Sequence, residues 1–412
     1  MDQTRNEVPD NRIRGRQKLG IYVHIPFCIQ KCAYCDFLSA PADEETIEKY
    51  VGKLCREIRT FERRGIRIQE YTVRSIFLGG GTPSILSEKQ IGRILETIYA
   101  VFPMISREAE ITAECNPGTL TPGKLSAMKE AGINRLSIGL QSADNEELRL
   151  LGRIHTWEEF RDNFFCARRM GFENINVDLM SAIPGQSSSR WRSTLKAVLA
   201  LCPEHISAYS LMIEEGTPFY ERYHLQDEMR KKGEDPVKAG AAPPLPSEDE
   251  ERRMYEETEE ILSAAGMARY EISNYALPGY ESIHNIGYWR RVPYAGFGLG
   301  ASSLLGERRI RNRSSLADYL EGNDETAFLP EEVISLTEKD RMEETMFLGL
   351  RMMRGVRLAD FENAFGKELL QIYEAPVRRL TEQGLIIVGD GAVRLTKRGI
   401  DLSNYALAQF LL

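Results

Sequence analysis

Disulfide frameworks, export and membrane insertion are not expected, because the residues they need are scarce or missing. The 412-residue chain has seven cysteines. So few cysteines in a large chain without an export signal place it in a reducing compartment, where disulfides do not persist. Met1 to Gly20 is polar and charged and lacks the apolar segment of a signal peptide. No apolar run approaches the ~20 residues of a membrane-spanning helix. The expected location is the cytoplasm, and any membrane contact is expected to be peripheral. A surplus of positive charge is missing too. Asp and Glu number 61 against 53 Lys and Arg, a net charge of −8. No broad nucleic-acid surface is therefore expected. At 42% hydrophobic and 28% charged residues, the chain can bury the cores of two or three domains and should be soluble.

Against that scarcity, Cys28, Cys32 and Cys35 fall within eight residues, in the pattern C-x3-C-x2-C. Thiolates are soft ligands that suit iron–sulfur clusters. Three of them can hold three irons of a [4Fe–4S] cluster and leave the fourth iron open, as a catalytic metal site requires. Zinc is the rival reading, with His24 as fourth ligand. His24 lies in Ile21-Tyr22-Val23-His24-Ile25, which reads as a strand leading into the cysteine loop, so its side chain need not face the thiols.

From Ile21 to Leu211 short β-rich runs alternate with amphipathic stretches. Strands are expected at 21–25, 73–78, 109–114, 135–140, 175–179 and 205–211. Helices are expected at 44–64, 88–101, 122–131, 157–170 and 190–201. Alternation of this kind implies a parallel sheet with right-handed crossovers. Six strands suit a partial barrel. Chemistry in such barrels gathers at the C-terminal strand ends, and polar groups recur there. The first strand enters the cysteine loop, the second ends in Gly79-Gly80-Gly81-Thr82, and the next three end near Glu114, Gln141 and Asp178. The glycines allow backbone to approach a ligand closely, with N–H and C=O groups free to grip an amino acid. A tight strand-to-helix turn would use the same residues.

Met229 to Glu251, with its charge run and Pro243-Pro244-Leu245-Pro246, reads as an exposed insertion or flexible loop. An acidic helix follows over 247–265. His284-Asn285-Ile286-Gly287-Tyr288-Trp289-Arg290-Arg291 reads as a polar-aromatic loop or strand. Its histidine is either a satisfied structural residue or an axial ligand of haem iron. Tyr288 and Trp289 offer flat faces for a porphyrin, and Arg290 and Arg291 could pair with its propionates. Gly296 to Ala301 reads as a turn. Near the C-terminus, helices at 338–353, 358–365 and 369–383 precede a hairpin turned at Asp390-Gly391. These elements suggest a winged helix, and the lack of basic excess favours a lid or docking module over DNA binding.

The run from Tyr22 to Phe37 resembles the signature of the radical S-adenosylmethionine (SAM) superfamily. More narrowly, it resembles the branch holding the oxygen-independent coproporphyrinogen III oxidases and the HemW-type haem chaperones. The resemblance runs from about Gly20 to the C-terminus. It implies an α/β fold: a partial (β/α)6 TIM-like barrel of the radical SAM type with a smaller α+β C-terminal domain. The implied division is a polar tail (1–20), the core barrel (21–225), a connecting region (226–328) and a C-terminal domain (329–412). The implied cofactors are a [4Fe–4S] cluster, SAM and haem. The implied SAM contacts are Tyr22, Tyr34, Gly80, Gly81, Thr82, Glu114, Gln141, Arg153 and Asp178. His284, Asn285, Tyr288 and Trp289 match the H-N-x-x-Y-W haem motif of that branch. In the superfamily an electron from the cluster cleaves SAM to methionine and a 5′-deoxyadenosyl radical, so an electron donor is implied, together with a haem-acceptor protein. The oxidases carry a further cysteine two residues after the third. Phe37 stands there in this chain, which favours the chaperone over the oxidase.

Overall fold

The computed structural model describes residues 12–13, 15–64, 66–235, 237, 240–323 and 328–411. Its centre is a parallel sheet that curls into a partial barrel. In chain order the strands are β1 (Arg12–Ile13), β2 (Arg16–Ile25), β3 (Tyr71–Gly80), β4 (Ile105–Cys115), β5 (Arg135–Gln141), β6 (Ile175–Ser181) and β7 (His205–Ser210). β2 to β7 lie side by side in sequence order and run parallel. All six correspond to the strands expected from the sequence. Helices α1 (Glu44–Arg59), α2 (Glu88–Val101), α3 (Pro122–Glu130), α4 (Asn145–Leu150), α5 (Trp157–Arg169) and α6 (Ser188–Leu199) make the crossovers. Their starts are set by local chemistry. Ser87 and Gln90 form a reciprocal capping box on α2, and Thr156 and Glu159 do the same on α5.

The period of two along each strand sorts its side chains into two environments. Ile21, Val23, Ile76, Leu78, Leu136, Ile138, Val177 and Leu179 join helix residues such as Leu54, Ile94, Phe160 and Trp191 in the main hydrophobic core. The alternate positions are polar or aromatic. Tyr22, Ser75, Phe77, Glu110, Glu114, Arg135, Ser137, Asn176, Asp178 and His205 are linked to one another and to the connecting region by hydrogen bonds and ring contacts. The lumen is a polar, hydrogen-bonded core inside an apolar shell.

Beyond β7 come α7 (Pro218–Lys231), α8 (Glu248–Ala264), β8 (Ala268–Glu271), β9 (Asn274–Ala276), α9 (Ile283–Trp289), β10 (Tyr294–Phe297), β11 (Ser302–Leu305), β12 (Arg308–Arg311), α10 (Leu316–Glu321) and β13 (Glu332–Ser335). They extend the sheet in both directions. β10 adds a seventh parallel strand beside β2, and β11, β12 and β13 continue antiparallel from it. At the other edge β9 pairs antiparallel to β7, and β8 pairs antiparallel to β9. Strand patterning did not disclose these short segments. The expected loose insertion is also partly packed. Pro244 accepts a hydrogen bond from Gly185 N, and the Leu245 amide donates to Gln226 Oε1 at 2.7 Å with Leu245 buried. Residues 236, 238 and 239 of that stretch lie outside the described residues.

The C-terminal elements are α11 (Glu338–Gly349), β14 (Val356–Arg357), α12 (Leu358–Phe365), α13 (Leu369–Ile372), α14 (Glu374–Glu382), β15 (Ile386–Gly389), β16 (Ala392–Leu395), α15 (Lys397–Asp401) and α16 (Ser403–Ala408). They enclose a separate core around Met346, Leu350, Phe361, Leu380, Val393 and Phe410. Asp390 and Gly391 both have positive φ, 51° and 71°, which matches the right-handed twist of the hairpin they join.

Candidate functional site

The cysteine loop lies over the C-terminal mouth of the barrel and is tied to it at several points. Ala33 N donates to Leu151 O at 3.1 Å, and Phe219 N to Ala33 O at 3.0 Å. Thr82 Oγ1 donates to Cys28 Sγ at 3.3 Å and itself accepts from Asn116 Nδ2 at 2.9 Å. Arg153 Nη1 points at Cys32 Sγ from 3.5 Å, while Nη2 donates to Asn116 Oδ1 at 2.8 Å and Gly139 O at 2.6 Å. Arg153 Nε is buried without a partner among the described residues. The sequence alone allowed Arg153 to be a solvated helix-end charge. It is a strut between strand ends and thiol. Cys28, Cys32 and Cys35 are half-buried, and burial raises the Cys35 thiol pKa. Among the described residues no three His, Cys, Asp or Glu side chains converge on a metal-sized point. The donor set still fits an iron–sulfur cluster: three thiols on one loop, two already touched by hydrogen-bond donors. His24 is not a zinc ligand here. Its Nδ1 is hydrogen-bonded to the Tyr22 hydroxyl and its Nε2 to Leu38 O, each at 2.9 Å.

The glycine turn differs from expectation in one respect. Its N–H groups are not free for an amino acid. Gly81 N donates to Ile25 O and Thr82 N to Phe27 O, both at 2.8 Å, and Gly80 N donates to Glu114 Oε2 at 3.0 Å. A Cβ on Gly81 would lie 2.6 Å from the Phe27 carbonyl oxygen, and one on Gly80, whose φ is +112°, would lie 2.5 Å from the His24 ring. The close approach made by these glycines is to the base of the cysteine loop.

Below the turn, Glu114 and Asp178 face one another's field in the lumen. Burial, then the Asp178 charge, pushes Glu114 up to about 8. Burial also raises Asp178, despite hydrogen bonds from Ser137 and Asn176 at 3.1 and 2.8 Å. Gln141, at φ 74°, accepts from the Tyr209 hydroxyl at 2.8 Å. Tyr22 and Tyr34 are held protonated, chiefly by burial. The structure thus brings Tyr22, Glu114, Gln141, Arg153 and Asp178 to one end of the lumen, beside the Gly80–Thr82 turn, with Tyr34 on the loop above.

The second motif is neither loop nor strand. Residues 283–289 form α9, and α9 is the floor of the same lumen. Glu110 caps its start, accepting from Ser282 Oγ and from the amides of Ile283 and His284 at 3.0–3.2 Å. His284 is buried. Its Nδ1 is hydrogen-bonded to Ser75 Oγ at 2.9 Å, its Nε2 to the Tyr288 hydroxyl at 3.0 Å, and its ring stacks on Phe77 at 4.9 Å. Burial depresses its pKa to about 3. In this arrangement both imidazole nitrogens are engaged, by Ser75 and Tyr288. The Asn285 amide is capped by Ser282 Oγ at 3.3 Å. Arg291 is not available to propionates either, being paired with Glu344 at 2.7 Å and Glu307 at 3.2 Å. Tyr288 and Trp289, by contrast, line a cavity of about 450 Å3, partly open to solvent, together with Tyr22, His24, Tyr294 and Arg309. Its size falls in the range of small-molecule sites, ~300–1,000 Å3. The two motifs therefore share one lumen, with Tyr22 common to both.

The radical SAM superfamily profile matches residues 22–198, and the HemN C-terminal domain profile matches 336–402. The heme chaperone HemW of Bacillus subtilis is 36% identical over 391 residues, covering 95% of this chain and 98% of that protein. The chain belongs to the HemW family of radical SAM proteins. The Escherichia coli HemW is 38% identical over 69% of each chain. Among solved structures, the E. coli coproporphyrinogen III oxidase HemN superposes with a TM-score of 0.80 over 96% of this chain and 91% of its own, at 23% identity. That likeness establishes the fold: a radical SAM partial barrel with a smaller C-terminal domain.

Several lumen residues were not singled out from sequence. Asn116 bridges Thr82 and Arg153, Tyr209 holds Gln141, and Ser75 and Glu110 fix α9. Asn116 follows a strand end, as the recognised candidates do, so the strand-end rule could have found it. Ser75 and Glu110 lie mid-strand and carried no signal until α9 was placed against them.

Proposed function

We propose that this HemW-family protein is a haem chaperone: it binds haem, carries a [4Fe–4S] cluster and SAM, and passes haem to an acceptor protein. Cys28, Cys32 and Cys35 would hold the cluster. Tyr22, Tyr34, Gly80, Gly81, Thr82, Glu114, Gln141, Arg153 and Asp178 would surround SAM, and His284, Asn285, Tyr288 and Trp289 would serve haem. When bound, cluster and SAM together supply one-electron reductive cleavage of SAM. The chain's own contribution is to hold the loop, place a guanidinium and a hydroxyl beside the sulfurs, and keep Glu114 protonated below about pH 8. The observation that carries the haem reading is the aromatic cavity beside Tyr288 and Trp289. Haem ligation by His284 requires the imidazole to give up Tyr288 or Ser75. The cytoplasm remains the proposed location. Among the described residues no helix is long and apolar enough to cross a membrane. The division into tail, barrel, connecting region and C-terminal domain is proposed on the same footing, supported by the separate C-terminal core.

The alternative is oxidative decarboxylation of coproporphyrinogen III. Phe37, where the oxidases carry a cysteine, weighs against it. The deciding experiment reconstitutes the cluster anaerobically, then runs a haem titration and a coproporphyrinogen decarboxylation assay in parallel. Saturable haem binding without turnover is expected. Robust formation of protoporphyrinogen IX would move the protein to the oxidases.

A further inference from the structure

The Arg291–Glu344 pair extends into a charged cluster on the cavity wall. Arg309 lines the cavity. Its Nε donates to Glu344 Oε1 at 2.5 Å and its Nη1 to the Tyr294 hydroxyl at 3.1 Å. Glu344 Oε2 takes the Arg291 Nε at 2.7 Å. The Glu344 side chain is 9% exposed and that of Arg309 33%, so the pair sits at the cavity's rim with the carboxylate on the inner side. Leu348, one turn along α11 from Glu344, also lines the cavity. Just past that helix the Arg351 guanidinium lies 4.5 Å from the Trp289 ring. Trp289 Nε1 and Arg351 Nε are buried with no hydrogen-bond acceptor among the described residues. A single carboxylate from the C-terminal unit thus occupies two guanidiniums at the edge of an aromatic-walled space, and two further N–H donors beside it lack acceptors.

We propose that Glu344 is a resident stand-in for a ligand carboxylate. A flat aromatic ligand with carboxylate side arms, of the porphyrin class, seats against Tyr288, Trp289 and Tyr294. One of its carboxylates takes Arg309 from Glu344, which loosens α11 from the cavity. The class of ligand rests on the haem reading above; the competition rests on the ion pairs. Arg309 meets Glu344 through Nε alone, whereas guanidinium and carboxylate pair best through two parallel bonds. A ligand carboxylate can take that fuller geometry. Until it does, Glu344 competes with it and lowers its apparent affinity.

The test uses the full chain and two probes: haem, and the dimethyl ester of iron protoporphyrin IX, which keeps the ring and loses both negative charges. Each is titrated by absorption into wild type, Glu344→Gln and Arg309→Gln. Charge-assisted bonds of this kind support an effect of about tenfold. Glu344→Gln should bind haem about tenfold tighter and Arg309→Gln about tenfold weaker, and the ester should distinguish neither from wild type. Arg309→Gln retains the Arg291–Glu344 pair, so it decides the matter if Glu344→Gln fails to fold. Haem binding indifferent to both substitutions, or an equal response from the ester, overturns the stand-in while leaving the haem reading intact. A wild-type protein that binds neither probe overturns both.

Discussion

The two ends of the barrel lumen are built on opposite plans. At the C-terminal strand ends the polar groups, Arg153 beyond α4 excepted, sit on or just after their own strands, and the cysteine loop is the continuation of β2. At the other end the floor is a short helix brought back from some 200 residues away, the separation between Ser75 and His284 being 209. The upper site is local chemistry repeated around a barrel. The lower one exists only once β3, β4 and α9 have met. Function that is encoded strand by strand survives as a sequence pattern. Function that depends on a long-range meeting shows only its own motif and not what that motif touches.

The largest effect should come from the upper end. Cys32→Ala is expected to abolish a reconstitutable cluster, read as iron and sulfide content and by EPR on an anaerobic preparation. Full iron content in that variant would detach the loop from the metal reading. Gly81→Val should come next. A turn whose only role is to contact SAM would lose SAM binding in this variant and keep the cluster. With a Cβ 2.6 Å from the Phe27 carbonyl, it should displace the chain just ahead of Cys28. We expect loss of both cluster and SAM binding, with destabilisation of several kcal/mol, about the size of other strained or overpacked sites. Wild-type cluster content with weakened SAM binding, by iron analysis and calorimetry, would restore the simpler view.

How much was legible follows from the same contrast. All six core strands and five of the six crossover helices stood out, because a parallel sheet with one apolar face leaves period-two runs between amphipathic helices; the six-residue α4 did not. The strand-end residues stood out because the barrel rule assigns them a common rim. Three things did not. The glycine N–H groups seemed free, since nothing in Gly79-Gly80-Gly81 announces that Glu114 and Ile25 will take those of Gly80 and Gly81. Residues 283–289 are too short a helix to show a period, and their glycine and paired aromatics read as loop or strand. β10 to β13 are four-residue strands whose pairing, not their composition, makes them strands.

At the floor the effects should be smaller and pH-dependent. His284 is neutral in the folded protein with a pKa near 3, against an ordinary value of 6.5. The unfolded chain therefore binds more protons between those values, and stability falls as pH drops through that window. The loss is about 1.4 kcal/mol per pH unit. It is absent above pH 6.5 and complete below about 3. His284→Gln should flatten that part of the stability-against-pH curve, measured by denaturant unfolding from pH 7 to 5. An unchanged slope would mean that the imidazole is accessible and the floor open. Tyr288→Phe should cost less, about 1–3 kcal/mol, by leaving His284 Nε2 without its partner. It should also ease His284 toward haem iron, seen as a sharper shift in the haem absorption spectrum. A variant with wild-type stability and spectrum would show that the His284–Tyr288 bond does not hold the histidine in place.

The smallest effect is expected at the residue that weighs against the oxidase alternative. Phe37 separates this chain from the oxidase pattern, yet its side chain is 61% exposed and belongs to no core cluster. What it contributes is the absence of a thiol. Its ring does not support the loop, whose anchors are Ala33, Thr82 and Arg153. Phe37→Ala should therefore change unfolding free energy by no more than ~0.5 kcal/mol, as surface substitutions usually do. Cluster content should stay at the wild-type level. Denaturant unfolding and iron analysis on the same preparation check both. A large loss in either would mean that the ring is covered in the loaded protein, packed on the cluster or on something bound over it. The upper end of the lumen would then also depend on a meeting that the strand pattern does not record.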